Sequence, residues 1–433
     1  MRSFACCRPT ETGHPVPAGT GMSRRAVVLG GVGLGLTLFG GRALAPGALD
    51  EAVAAATPGQ RVLVCVSLSG GVDGLSLLPP QNDARYSRRL RPELWVDPAT
   101  TLAMKGTTDL RWHPAAARLK ALHDRDRLTV LPSIGYAGPN HSHFTSRHFY
   151  EVGATDPDGR TGWLGRWLDL VGTDHNPLQG LTLGETISPM LAAAKVAVAA
   201  TDRPADYRVT TPGIEGGAWH AELVRGMTEL GRLTSTDPVL GAARAVHGDA
   251  ADVHAELVGG FQDPAVSYPA GRLGDRLADL ARLLGAGLPI RCGTIDSGLD
   301  FDSHANQAAT FERHVTETGT ALQAFQDDLE RRGIADRVLT LVWSEFGRRP
   351  EENGSAGTDH GAGGIAMLMG TAVRGGRIGE HPGLGSLDPD GNLRATTDFR
   401  ALYCSLLEQW LGHDAGPVIP GADGLGRYAL LRA

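Results

Sequence analysis

The sequence predicts an α/β fold with a mainly parallel central sheet. Short, β-branched apolar runs recur at 61–68, 128–132, 195–198, 338–343 and 365–369. Such nearly continuous runs belong to strands buried on both faces. Patterns of helical period lie between them. Acids and histidines follow directly after the runs, where the functional loops of parallel sheets gather.

The N-terminal elements come first in the chain. Residues 1–45 read as an extension plus an export signal. Arg24 and Arg25 stand directly ahead of an apolar run from Ala26 to Gly41, and Ala43-Leu44-Ala45 supplies a small-residue cleavage site. A run this short falls below the roughly 20 residues a membrane span needs. Paired arginines with a glycine-rich core point to the twin-arginine (Tat) route. Met22 is a candidate start. Tat translocase is then the partner during export, and the mature protein is expected in the periplasm, at the cell wall or outside the cell, without a stable membrane span. Residues 46–60 are an Ala/Pro/Gly linker, and residues 61–433 form the main domain.

Within that domain, Gly70-Gly71 ends the first strand. Phe311, Val315, Thr318, Leu322, Phe325 and Leu329 step by four and three, which gives one apolar face on a helix of about 25 residues. Arg331, Arg332 and Gly333 close it as helix C-termini favour. Leu273, Leu277, Leu280 and Leu284 repeat the spacing. Residues 201–270 lack a strand pattern and form an inserted cap or a loop region.

Composition narrows the function. The chain of 433 residues carries a net charge of −7. That argues against a nucleic-acid binder. Loss of residues 1–45 removes five arginines and one glutamate, which leaves −11. Cys65, Cys292 and Cys404 remain, with no C-x-x-C pair. This excludes a disulfide framework and a zinc–thiolate site.

Four constellations carry chemistry. The first is Ser69-Gly70-Gly71-Val72-Asp73-Gly74, which leaves Asp73 at the mouth of the sheet, as a ligand or as an acid stabilising its own turn. The second is 140–148, with His141, Ser142, His143, Thr145, Ser146, Arg147 and His148. A hydroxyl beside a histidine can become a nucleophile, and an arginine can hold an anionic oxygen; the alternative is a capped helix start. The third is Asp300-Phe301-Asp302-Ser303-His304. Carboxylate plus imidazole is a ligand set for zinc, manganese or iron; Asp302 or Ser303 as helix N-cap is the alternative. The fourth joins Ser344-Glu345-Phe346-Gly347-Arg348 to Gly357-Thr358-Asp359-His360-Gly361. Adjacent side chains diverge on regular structure, so Asp359 and His360 reach one metal only in a tight turn.

These segments, in this order, resemble the alkaline-phosphatase-like and sulfatase-like superfamily, and within it the Tat-exported domain of unknown function 1501 (DUF1501) family. The resemblance implies a three-layer sandwich: a mainly parallel central sheet with helices on both faces and a metal site at its C-terminal edge. It implies one or two divalent metal ions (zinc, manganese or magnesium). Their ligands would be Asp73, Asp302 (or Asp300), His304, Asp359 and His360, with His381 or His413 as a further histidine. It places the nucleophile in 142–146, with Ser142 ahead of Thr145. His143, Arg147 and Arg348 complete the catalytic set, the arginines steadying anionic oxygens. No sulfatase Cys-x-Pro-x-Arg signature occurs among the mature cysteines. The expected function is an exported metal-dependent hydrolase of phosphate or sulfate esters, acting on a small-molecule or polysaccharide ester. The alternative is an inactive exported protein that keeps the fold to bind an envelope component or polysaccharide.

Overall fold

The computed structural model describes residues 33–34, 36–39, 59–173, 176–204, 209–210, 217–237, 240, 244 and 262–432. Twelve strands matter to the site: β1 (Leu36–Phe39), β2 (Val62–Ser69), β3 (Leu128–Gly135), β4 (Gly180–Leu183), β5 (Val198–Thr201), β6 (Cys292–Asp300), β7 (Val338–Trp343), β8 (Arg348–Glu352), β9 (Thr358–His360), β10 (Gly364–Met369), β11 (Gly376–Arg377) and β12 (Thr397–Asp398). All but β8 and β9 join one sheet in the order β11-β3-β10-β7-β2-β6-β4-β5-β1, with β12 also on β3. Strands β7, β2, β6, β4 and β5 run parallel. β10 runs against both β7 and β3.

The alternation of side chains along β2 explains the layers. Val62, Val64 and Val66 enter one apolar cluster, and Leu63 and Cys65 enter another. Successive strand residues face opposite sides, so both faces need cover. On the first face pack α1 (Ala117–Asp124), α5 (Arg272–Gly285) and α6 (Gln307–Arg331). On the second pack α2 (His143–Val152), α3 (Trp163–Val171) and α7 (Phe399–Ser405). The fold is therefore a three-layer α/β sandwich with a mainly parallel sheet. A further helix, α4 (Gly217–Gly231), lies in the 201–270 segment, much of which is outside the described residues.

The heptad stripe builds α6. Phe311, Val315, Leu322, Phe325 and Leu329 are all buried against the first face. Truncation of one such side chain, Leu322→Ala, costs about 2–5 kcal/mol. Helix α6 spans 25 residues. Its N-cap is Asn306, in the left-handed region, rather than Asp302 or Ser303.

Several strands depart from the sequence reading: β4 matches no apolar run named there, β1 lies in the segment read as an export signal, and β5 and β6 differ too. β5 begins three residues after the start of the 195–198 run. β6 carries no apolar run, yet it sits between β2 and β4. Its polar side chains are satisfied sideways: Thr294 shares a 2.9 Å hydrogen bond with Thr182 on β4.

Of the export segment, β1 pairs with β5 at the sheet edge, and residues 33–34 pair with 209–210. The paired arginines, Met22, the 43–45 cleavage site and linker residues 46–58 lie outside the described residues. No described helix is long and apolar enough to cross a membrane.

Candidate metal centre

The C-terminal ends of β2, β6 and β7 lie side by side, and the loops leaving them converge. Gly70 has φ +103°, and a Cβ there would collide with the backbone nitrogen of Asp302. Glycine thus lets the β2 and β6 exits touch. Gly357 does the same for the β8–β9 hairpin, because a Cβ there would strike the backbone of His304.

Onto this edge come three histidines and one acid. His143 opens α2, Asp302 and His304 follow β6, and His360 ends β9. One donor atom each from His143, Asp302 and His360 lies within 4.8 Å of the others. His143 Nε2 is 2.9 Å from His360 Nε2 and 3.4 Å from Asp302 Oδ2. His304 Nε2 stands 3.0 Å from His360 Nε2 and 2.9 Å from Asp302 Oδ1.

Each ring is held from behind. His143 Nδ1 lies 2.7 Å from Glu345 Oε1. His360 Nδ1 lies 2.7 Å from the carbonyl oxygen of His141. His304 Nδ1 lies 3.3 Å from Asp359 Oδ1. A carbonyl only accepts, so His360 Nδ1 carries a proton and its Nε2 is left with a lone pair in the neutral ring. A carboxylate behind each of the other rings favours the same tautomer. Three imidazole lone pairs and a carboxylate then meet at spacings of about 3 Å. Such a group needs a positive charge at its centre.

The electrostatics agree. Burial works against the charge on Asp302, but its contacts with His143, His360 and Arg348 outweigh it and hold its carboxyl far below the usual range. Burial opposes the charge on His143 as well, yet Asp302 and Glu345 push its pKa up to about 9. Glu345 is buried, which raises its pKa, but the bond from His143 and the Gly70 amide bring it below its ordinary value.

The other expected ligands are placed differently. Asp73 is 2% exposed and caps the single helical turn Gly74–Leu77. Its oxygens take hydrogen bonds from Arg91, Ser76 and Gln307. It faces Arg91 instead of the histidines. It is tied to the site at one remove, through Gln307, which accepts from Thr358 at 2.6 Å, and through Arg91, which donates to the carbonyls of Arg349 and Pro350 on β8. Asp359 and His360 sit on extended backbone, so their side chains diverge. His360 enters the cluster while Asp359 stands behind His304. Asp300 accepts from the Asp302 amide at 2.9 Å and lines the neighbouring cavity. His381 is half-buried elsewhere, where Nδ1 accepts from the Gly383 amide and desolvation pulls its pKa down to about 4. His413 contacts the carbonyl of Asp414.

The catalytic candidates divide in the same way. Arg348 is buried and donates to the carbonyl oxygens of Gly70, Gly71, Phe301 and Thr358 and to Asp302 Oδ1. All its donors serve the loops, so it positions Asp302 and does not face an anion. Arg147 lies one turn beyond His143 and lines a cavity of about 220 Å³ against the cluster, together with Gly70, His143, Asp302 and Glu345. Phe144, 72% exposed, stands at its rim. Ser142 is the N-cap of α2 but makes no capping hydrogen bond. Among the described residues, the hydroxyls of Ser142 and Thr145 are hydrogen-bonded to no atom of the cluster.

The sequence assigns no roles to Glu345, Arg91, Gln307 or Asn353, the last of which donates to the His304 carbonyl and to Asp359 Oδ1. Glu345 carried a usable signal, since a buried acid directly after an apolar strand sits at the functional edge. Arg91 carried none.

Residues 274–407 match the DUF1501 family. That stretch, described as a protein of unknown function, holds β6, α6, β7 and the β8–β9 hairpin, and so Asp302, His304, Glu345 and His360. His143 and Asp73 lie outside it. No curated protein matches the sequence. Among solved structures, the chain is similar to a protein of the alkaline phosphatase superfamily from Vibrio parahaemolyticus. Identity is 11%, covering 86% of this chain and 70% of the other, with a TM-score of 0.37. It is similar to the lipoteichoic acid synthase LtaP from Listeria monocytogenes at 9% identity, covering 83% and 74%, with a TM-score of 0.35. It is also similar to the PsFucS1 sulfatase from a Pseudoalteromonas species at 11% identity, covering 83% and 69%, with a TM-score of 0.36.

Proposed function

We propose that the protein is an exported hydrolase of phosphate or sulfate esters that holds one divalent cation through His143, Asp302, His304 and His360. One observation carries the reading: three imidazole Nε2 atoms meet at Asp302 while each Nδ1 is anchored from behind. Tetrahedral ligands about 2.0–2.1 Å from zinc stand about 3.3 Å from one another, close to the 2.9–3.4 Å separations around His143, His360 and Asp302. Imidazole-rich sets suit zinc better than magnesium. With Asp73 turned to Arg91, the donors support a single cation.

When bound, such a cation would act as a Lewis acid on an ester oxygen. The chain's own groups complete the site. Arg147 reaches the small cavity; its Nε donates to Glu151 and its two Nη atoms to Ser69 and Asp296, which leaves one N–H on each Nη for anionic oxygens. The uncapped start of α2 adds the partial positive charge of a helix N-terminus on the same side. Glu345 and the His141 carbonyl fix the rings. Ser142, next to His143 at that helix start, is the hydroxyl we assign to in-line attack. Export by the twin-arginine route rests on the 22–45 sequence.

The test is a panel of aryl phosphates, phosphodiesters and aryl sulfates with zinc, manganese or magnesium. We expect turnover of at least one, lost in His360→Ala. No turnover with the cation fully bound would favour the second reading, a binding protein without catalysis. That second reading is favoured by Ser142 and Thr145, whose hydroxyls are, among the described residues, hydrogen-bonded to no atom of the cluster.

A further inference from the structure

A second cavity, of about 430 Å³, adjoins the small one, and Arg147 lines both. The two are strung along one helix face. His143, Arg147 and Glu151 are spaced by four on α2, so they form a line. The line runs from the cluster into the larger cavity, where Glu151 is a wall residue. A ligand whose anionic end meets His143 and Arg147 therefore extends past Glu151.

The larger cavity has mixed walls: Leu183, Ile187, Met190, Ile295 and Trp343 give it apolar faces, and its charged groups are matched in sign. Ser67, Thr182 and Thr294, from three adjacent strands, supply hydroxyls. Arg147 is paired with Asp296 at 2.9 Å and with Glu151 at 3.1 Å. Arg276 is paired with Asp202 and donates to the carbonyl of Asp296 at 2.8 Å. Glu185, Thr186 and Arg272 also line it, all exposed at its rim. An anion in this cavity would face Asp296 and Glu151, and a cation would face the guanidiniums. A hydrocarbon would cover the apolar faces but strip water from the polar ones and return no hydrogen bonds. An uncharged ligand with C–H faces for the apolar walls and hydroxyls, each both donor and acceptor, for the polar ones satisfies both.

We infer that the larger cavity binds an uncharged saccharide unit, the alcohol portion of the ester whose anionic group sits at the cluster. The second half of this statement rests on the hydrolase reading; the first half does not. The substrate class is then a phosphate or sulfate ester of a sugar.

The test separates the two halves. Saturation-transfer NMR is run on the full chain after chelation of metal, with glucose, galactose, lactose and cellobiose as probes and benzyl alcohol as the apolar control. The inference expects transfer to at least one saccharide and none to benzyl alcohol. Thr186→Trp, which fills the rim, abolishes the transfer. Arg272→Ala, at an exposed position, weakens binding about tenfold through loss of a charged hydrogen bond. No transfer to any of the four sugars overturns the inference, as does transfer that survives both substitutions. Sugar binding without ester cleavage in any metal would sink the hydrolase reading and leave the sugar site standing.

Discussion

The Nε2 atoms of His143 and His360 lie 2.9 Å apart, although the two residues are 217 positions apart in the chain. Because His360 Nδ1 donates to the His141 carbonyl, its Nε2 cannot also be a donor in the neutral ring. The short contact therefore needs either a proton on His143 or a cation between the rings. Proton and cation compete for one place.

That competition has a sign. In chelated protein the His143 pKa is raised to about 9, with burial opposing and Asp302 and Glu345 overcoming it. Below that value a cation must displace a proton. Cation affinity should therefore rise with pH up to about 9 and then level off, by up to tenfold per unit for one proton. Titrations at several pH values, with proton release followed in weak buffer, measure this. The chelated protein behaves oppositely. Stabilisation from the raised pKa is fully present below about 6.5, the free histidine value, and is lost as pH rises through about 9. An affinity independent of pH between 6 and 9 would remove His143 from the site.

Asp73 and Arg91 form a buried ion pair at 2.6 Å, with side chains 2% and 0% exposed. Arg91 outweighs burial and keeps the Asp73 carboxyl below its ordinary pKa. Asp73→Asn leaves Arg91 charged and unpaired, at a cost of about 3–5 kcal/mol. Thermal unfolding should show that loss while cation stoichiometry stays the same. A folded Asp73→Asn protein that no longer binds the cation would restore Asp73 as a ligand.

Arg348 ties four backbone carbonyls and Asp302 together. Arg348→Met should cost several kcal/mol, since each orphaned buried acceptor costs about 1–3 kcal/mol. Arg348→Lys should recover part of the stability but little of the cation affinity, because an ammonium cannot span that fork. Equal cation affinity in all three proteins would show that Arg348 does not position Asp302.

Ser142→Ala should reduce ester turnover about a thousandfold or more if its hydroxyl is the nucleophile, with cation affinity unchanged. Retained turnover would assign the attack to water, and Thr145→Ala serves as the parallel control.

Much of the architecture was readable from periodicity. The 338–343 run is β7 to the residue, and the heptad stripe gives α6. β6 is hidden because Thr294, Asp296 and Ser297 break any apolar run; Thr294 and Asp296 find partners on β4 and α2, and Ser297 accepts from the Leu299 amide on its own strand. At the site, His143, His304, Asp302 and His360 were visible as dense polar groups after strands. Their division into inner and outer roles was not. Asp359 falls behind His304 because residues 358–360 are extended and paired with β8. Asp73 is claimed by Arg91, whose approach 18 residues downstream leaves no local pattern. Arg348 resembles an anion-binding arginine in sequence, and only its burial among carbonyls shows otherwise.

Cation binding by the whole protein tests the central claim most directly. Zinc titrated into chelated protein should bind at one equivalent per chain. His143→Ala and His360→Ala should each lower affinity at least tenfold to a hundredfold, as loss of even a supporting partner does, while Asp73→Asn and His381→Ala leave the stoichiometry at one. Unchanged affinity in both cluster variants, or no binding by the wild-type chain, would contradict the account.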